Sequence, residues 1–531
     1  GSIMQEVTPI VLVHGLFGWG EQRPFWGAGP PYFPLNTVRS LWPRGQVVAV
    51  DIGVASSDHD RACEIFAQLL GLQTDYGAEH AARYGHSRYG PDYRKAGPLL
   101  PRWDSAHPAH FVGHSFGGNT SVALLSMLAE DFWGMGTAAD WILSITCICS
   151  PMRGCSLVFA IGLDADAEKE AVNASNAGGE SPSNANKAAL VVRRGSFSHL
   201  LSIFVAVVTR AQVLYPFWKG FINMRCDQWG TTPLTWKGLW DADHPYWKSG
   251  DNVAVGSTPA YSRSTRGWLS HLTRTRLIAV TADSVPPLSP SAAMLAASCY
   301  GIAVGAAGIL LARPLRAILR LFARWLVARK RNAPLAAVAA ILGIAVAPSS
   351  AVVGKRWSVF AERYSPWLHF VLGRPMLRMF AYSVLQASAQ LGSSDRLATH
   401  CGLSPNGNDG LIDVASQRWM DAPVYQYGRS QPKGDYHHRL WTSAWRRCTR
   451  STEEDLALRA KALANSFSEV NLARNSNNGS AESSESTLEP GKWHVIRVPG
   501  GDHALGTSAS ALSAGMYRAV FELLEAVSRP R

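Results

Sequence analysis

Ser115 lies in Gly113-His114-Ser115-Phe116-Gly117, within the longer run AHFVGHSFGGNTSVALL, Ala109 to Leu125. A serine hydroxyl is a weak nucleophile until a base takes its proton, and a GxSxG turn between strand and helix is one arrangement that presents it for that purpose. Gly113 and Gly117 lack a Cβ, so the backbone can take the strained φ/ψ that lifts the hydroxyl clear of strand and helix. At a helix N-terminus the dipole and the free N–H of Phe116 favour an oxyanion as it forms. The predicted chemistry is acyl transfer at a carbonyl carbon.

A nucleophile of this kind needs a parallel sheet behind it. VTPIVLVHGLFGWG (Val7 to Gly20) is a continuous apolar run ending in a tight glycine loop, the pattern of a buried strand. That loop can supply a second backbone donor to an oxyanion, and Leu16, just after His14 and Gly15, is the candidate partner of Phe116. Further buried strands are expected at Gln46 to Val54, Trp141 to Ser150, Thr275 to Ala282 and Lys492 to Val498. DHDRACEIFAQLLG (Asp58 to Gly71) spaces Ala62, Ile65, Phe66 and Leu69 as one helical face, and Ser510 to Ala526 predicts a closing helix. Strands alternating with helices predict an α/β fold with a mostly parallel sheet.

The chain is 531 residues long, with 47% hydrophobic and 17% charged residues and a net charge of +12, which describes a globular protein with room for insertions. Nineteen tryptophans suggest apolar ligands or surfaces. Eight cysteines form no CxxC pair, so a disulfide scaffold is not expected, and Cys147 and Cys149 read as small core residues of a strand. The opening GSIM resembles an expression scar that could stand in place of a targeting peptide, so the compartment is not legible there.

Several long motifs carry a resemblance. DRACEIFAQLLGLQTDYGAEHAARYGHSRYG (Asp60 to Gly90), HGLFGWG, GHSFGG, CDQWG (Cys226 to Gly230), NDG (Asn408 to Gly410) and Asp502-His503 together resemble the thermoalkalophilic bacterial triacylglycerol lipases, family I.5, and their plant counterparts. The resemblance implies a single α/β-hydrolase domain over residues 1–531. It also implies a triad in the order Ser115, Asp409, His503, with His503 as base and Asp409 fixing its tautomer. On residue type alone Asp413, Asp421, His437 and His438 compete for the last two roles. A structural zinc ion is implied as well, held by Asp60, His80, His86 and Asp251 in a subdomain built from residues 57–95 and 226–255. Where the bacterial relatives carry an acidic calcium ligand two positions after the triad histidine, this chain has Leu505, so no calcium site of the family type is expected.

The family's mobile lid matches Ser196 to Trp218, an almost wholly apolar stretch. Residues 164–190 and 466–490, rich in Ser, Asn, Ala, Glu and Gly, read as flexible insertions. A third insertion, 284–356, has two charge-free runs around RPLRAILRLFARWLVARKR, whose Leu315, Ile318, Leu319, Phe322, Trp325 and Leu326 fall on one helical face. Its arginines lie on the other, which suits anionic lipid headgroups and predicts membrane association. Prolines and modest hydrophobicity favour an interfacial or re-entrant hairpin over two spans, with a packed cap as the other reading. Because these cations sit among apolar residues, nucleic-acid binding is set aside. The chain therefore reads as a zinc-containing serine lipase or carboxylesterase that acts on acylglycerols at a lipid interface. Polar-lipid hydrolysis, acyl transfer to an alcohol and an idle membrane-docked scaffold are the alternatives.

Overall fold

The computed structural model describes residues 7–163, most of 197–229 and 249–283, scattered positions between 362 and 417, and 488–528, with short gaps. Among the described residues six strands form one sheet in the order β2-β1-β5-β6-β7-β8, and all five pairings are parallel. They are β1 Val7–Val13, β2 Gly45–Val50, β5 Ala109–His114, β6 Ile142–Ile148, β7 Arg276–Asp283 and β8 Trp493–Pro499. A separate antiparallel pair, β3 Gln73–Asp75 and β4 Tyr89–Asp92, forms a small ribbon.

The sheet is buried on both faces, which is why its strands read as continuous apolar runs rather than as alternation. Along β1, Val11 and Val13 face one core with Phe111, Ile145 and Leu277, against α2 (Asp58–Leu70) and α4 (Phe116–Ala129). Ile10 and Leu12 face the other with Val112, Ile278 and Val280, against α1 (Leu35–Leu41) and the C-terminal helix. Truncating a fully buried Leu12 to alanine in such packing costs about 2–5 kcal/mol.

Helix α2 starts where Ser57 Oγ accepts from Asp60 N and stops at Gly71, whose φ of 67° is left-handed. The predicted face Ala62, Ile65, Phe66 and Leu69 is buried, and so are the charged residues Asp58, Asp60, Arg61 and Glu64. A helix buried all round must satisfy its charges internally. Arg61 does so through Nε to Thr120 Oγ1 at 2.9 Å, Nη1 to Gly53 O at 2.7 Å and a close contact of Nη2 with His14 O. Burial lowers this guanidinium to about 10. Helix α3 (Ala78–Tyr84) lies between β3 and β4.

Helix α5, Phe197–Leu214, covers most of the stretch matched to the lid, and a short 3₁₀ segment, Pro216–Gly220, follows it. Among the described residues no helix is long and apolar enough to cross a membrane. The C-terminal helix, α6 Ser513–Ser528, begins three residues later than its sequence pattern suggested. Residues 164–190 and 284–356 lie outside the described residues, as does 466–490 apart from two positions. Asp413, Asp421, His437 and His438 lie outside them too.

Candidate active site and metal centre

Strand β5 delivers Ser115 into a turn with φ 54° and ψ −130°, immediately before α4. The strain sits on the serine itself rather than on its glycines. Gly113 and Gly117 serve close approach instead: a Cβ on Gly113 would come 2.4 Å from Gly118 N, and one on Gly117 2.1 Å from Val13 O. The turn is held by Ser115 N donating to Ile148 O at 2.8 Å and by Gly118 N donating to Ser115 O at 3.0 Å. A φ of this sign costs a non-glycine residue about 1–3 kcal/mol, and the surrounding backbone bonds hold it there.

Three side chains far apart in sequence meet at this turn. His503 Nε2 lies 3.0 Å from Ser115 Oγ, and His503 Nδ1 lies 2.9 Å from Asp409 Oδ2. Asp409 is wholly buried and accepts at Oδ1 from Leu411 N (3.0 Å) and Ile412 N (2.9 Å), and at Oδ2 also from Gln417 Nε2 (3.1 Å). A carboxylate with four donors cannot rotate freely, so it fixes the proton of His503 on Nδ1 and leaves Nε2 as the acceptor facing Ser115. Gln417 also accepts from Ala282 N at the end of β7, 3.0 Å away. Nothing in the sequence pattern singles it out.

Leu16 is half exposed on the loop after β1, and its N–H makes no hydrogen bond among the described residues. The next amide, Phe17 N, is committed to Val54 O at 2.9 Å. Phe116 is the first residue of α4, so its N–H has no intrahelical carbonyl. Gly15 abuts the serine closely enough that a Cβ there would stand 2.7 Å from Ser115 Cβ.

A second constellation lies on the small ribbon side. Asp60 sits in the first turn of α2, His80 on α3, His86 just past its left-handed Gly85 cap, and Asp251 ahead of an Asn252-capped turn. One ligand atom from each lies within 4.8 Å of the others. His80 Nε2 is 3.3 Å from Asp60 Oδ1 and 3.2 Å from Asp251 Oδ2, while His86 Nε2 is 3.3 Å from Asp251 Oδ2 and 4.0 Å from Asp60 Oδ1. A tetrahedral ion with bonds of about 2.0–2.1 Å has ligand–ligand edges of about 3.3–3.4 Å, so these separations fit one with little adjustment.

Hydrogen bonding tests the fit independently. Asp60 Oδ1 and His86 Nε2 are buried atoms with no hydrogen-bond partner among the described residues, a state that costs about 1–3 kcal/mol each unless a ligand completes it. The neighbouring atoms are spoken for: Gln228 Nε2 donates to Asp60 Oδ2 at 2.8 Å, and His86 Nδ1 lies 2.9 Å from Ser87 O. That second contact puts the His86 proton on Nδ1 and aims the Nε2 lone pair into the cluster. Burial alone would lower the His80 pKa, but Asp251 and Asp60 outweigh it and hold the imidazole at about 9. Two buried carboxylates thus demand positive charge at one point, and these four residues would hold a metal cation. Leu505, by contrast, is buried in the apolar core.

A family profile described as "Lipase-like, C-terminal domain" matches residues 6–132. Lipase 2 of Staphylococcus aureus is 36% identical over 119 residues, which cover 21% of this chain and 16% of that protein. The lipase of Staphylococcus hyicus is 37% identical over 120 residues, 21% of this chain and 17% of that protein. These alignments span only about a sixth of either relative's length. The crystal structure of the S. hyicus lipase aligns with a TM-score of 0.48 at 18% identity, covering 99% of this chain and 97% of that one. The matched segment carries β1, the Leu16 loop, Asp60, His80, His86 and the Ser115 elbow, and over that segment the chain is similar to bacterial lipases.

Proposed function

We propose that this chain is a serine lipase or carboxylesterase that cleaves acylglycerol esters through an acyl-enzyme. The observation that carries the reading is the unbroken line Ser115 Oγ, His503, Asp409, with contacts of 3.0 and 2.9 Å, beneath two uncommitted amides. Ser115 Oγ attacks the ester carbonyl carbon while its proton passes to His503 Nε2. The carbonyl oxygen becomes an oxyanion facing the N–H groups of Leu16 and Phe116, and Asp409 stabilises the imidazolium. The C–O bond to the alcohol then breaks, His503 returns the proton to that alcohol, and a water attacks the acyl-enzyme by the same relay.

The long-chain lipid assignment rests on α5 and the Leu16 loop. Phe204, Val207 and Leu214 are exposed along one stripe of α5, whereas His199, Thr209 and Gln212 are buried on its other side. Val205 and Ala206 are buried as well, so the helix presents apolar side chains both inward and outward, which suits a lid that meets an acyl chain or lipid surface. Leu16 adds a fourth exposed apolar side chain. The basic, apolar pattern of 284–356 supports docking to an anionic membrane. The metal is assigned as zinc in a structural role, because four protein ligands close a tetrahedral set and leave no position for substrate.

Purified chain should hydrolyse emulsified triacylglycerol faster than phospholipid or galactolipid, with titrated fatty acid as the readout. Preference for a polar lipid would move the assignment to that class, and transfer to an added alcohol in place of hydrolysis would make it an acyltransferase. No ester cleavage on any of the three would remove the enzyme reading.

A further inference from the structure

Three loops converge on Ser115: Gly15–Gly18 after β1, the elbow itself, and the loop after β8 that carries His503. Tyr32, ahead of α1, touches all three. Its hydroxyl oxygen accepts from Gly15 N at 3.2 Å and lies 2.6 Å from His114 Nδ1, and its carbonyl accepts from Ser508 N at 2.8 Å. His114, the residue before the nucleophile, places Nε2 2.8 Å from the backbone oxygen of His503.

We propose that Tyr32 and His114 are positioning residues, locking the oxyanion-side loop to the base loop through one directional hydrogen-bond chain; this rests on the acyl-transfer reading of the site. The direction follows from donors and acceptors alone. The His503 carbonyl can only accept, so His114 Nε2 carries the proton. Burial, then the facing imidazole of His503, push His114 down to about 3, so its ring is neutral and Nδ1 is a lone pair. Tyr32 O–H therefore donates to Nδ1 and keeps a lone pair for Gly15 N–H. Burial raises the Tyr32 phenol, which keeps that proton in place.

His14 secures the other side of Gly15. Its Nε2 accepts from Ile52 N at 3.3 Å, so its Nδ1 donates to Gly15 O at 2.9 Å, where Gly18 N also donates at 3.1 Å. Gly15 C=O and Leu16 N–H belong to one planar trans peptide and point opposite ways, so fixing the carbonyl aims the Leu16 amide. Both peptide planes around Gly15 are thereby held, one by His14 and one by Tyr32. With Gly15 packed against Ser115, a small drift of this loop moves the Leu16 donor relative to the developing oxyanion. Ground-state contacts along an acyl chain are untouched by it. Loss of the chain therefore lowers kcat and leaves KM nearly unchanged.

The test uses Tyr32→Phe, His114→Gln and His114→Leu in the full chain, assayed on a soluble p-nitrophenyl ester with active sites counted by phosphonate titration. Counting sites removes any contribution from incompletely folded protein. Tyr32→Phe should lower kcat per titrated site about tenfold with KM within about twofold. His114→Gln keeps an N–H near the Nε2 position and should retain more activity than His114→Leu. Unchanged kcat per site in Tyr32→Phe, whatever its melting temperature, overturns the proposal, as does equal impairment by the two His114 variants. A wild-type chain that titrates no serine and cleaves no ester would defeat the acyl-transfer reading instead. In that event ¹⁵N NMR of the ring still decides the chain: a proton on His114 Nε2 supports it, and one on Nδ1 overturns it.

Discussion

The Ser115 site and the Asp60 cluster are built from the same residue types, aspartate and histidine, and differ in whether protein atoms complete them. Around Ser115 every polar atom of the acid and base has a protein partner: Asp409 holds four donors, and His503 uses both ring nitrogens. In the cluster two carboxylates converge while Asp60 Oδ1 and His86 Nε2 stay buried without a hydrogen bond among the described residues. A saturated site can pass a proton along fixed bonds. An unsaturated one is shaped for a cation that the chain does not itself supply.

If that contrast is right, damage to the two regions should separate cleanly. Ser115→Ala should lower kcat by about 10⁵-fold or more while leaving metal content and unfolding midpoint unchanged, checked by kinetics, elemental analysis and denaturation. His86→Ala should do the opposite. It should lose about one metal ion per chain and about 3–5 kcal/mol of stability, because it strands a buried carboxylate, yet keep kcat per titrated site within a few-fold of wild type. Metal retained at the wild-type level in that variant would break the comparison.

A smaller effect sharpens the contrast by probing histidines that are buried but face no carboxylate pair. His110, between Ser144 Oγ and Ser528 Oγ, and His114 are both pushed down by burial to about 3 from an ordinary 6.5. Below pH 6.5 the unfolded chain binds protons that the folded one refuses. Their contribution is therefore present above pH 6.5 and is lost as pH falls from 6.5 towards 3, at about 1.4 kcal/mol per pH unit for each. The difference in stability between wild type and His114→Gln, followed by denaturation between pH 7 and 5, should narrow as pH falls by one histidine's share of that slope.

The sheet was legible in the sequence because strands buried on both faces are mostly apolar, and β1, β2, β6 and β7 show such runs, whereas the edge strand β8 interrupts its own with His494 and Arg497. Helix α2 was half legible: its apolar face was plain, but that spacing carried no sign that Asp58, Arg61 and Glu64 are buried too. Periodicity reports only one packed face, and the partners of Asp58, Arg61 and Glu64, namely His14, Gly53, Tyr76 and Thr120, lie outside the helix. Ser115 announced itself through local turn geometry, although the strain lies on the serine and not on its glycines. Asp409 and His503 were reachable only through resemblance, since they stand 294 and 388 residues from Ser115 and no spacing rule links them. Tyr32 and Gln417 gave no signal, and His14 showed only as part of HGLFGWG, because their roles are hydrogen bonds to backbone or to another side chain.

The central claim is that Ser115 is the nucleophile of an acyl-transfer relay, and covalent labelling tests it most directly. Folded, metal-loaded chain treated with a serine-directed fluorophosphonate should take up one adduct, mapped by peptide mass to the segment containing Ser115, and Ser115→Ala or His503→Ala should take up none at the same exposure. A folded wild-type chain that remains unlabelled, or that carries its adduct on another residue, would contradict the account.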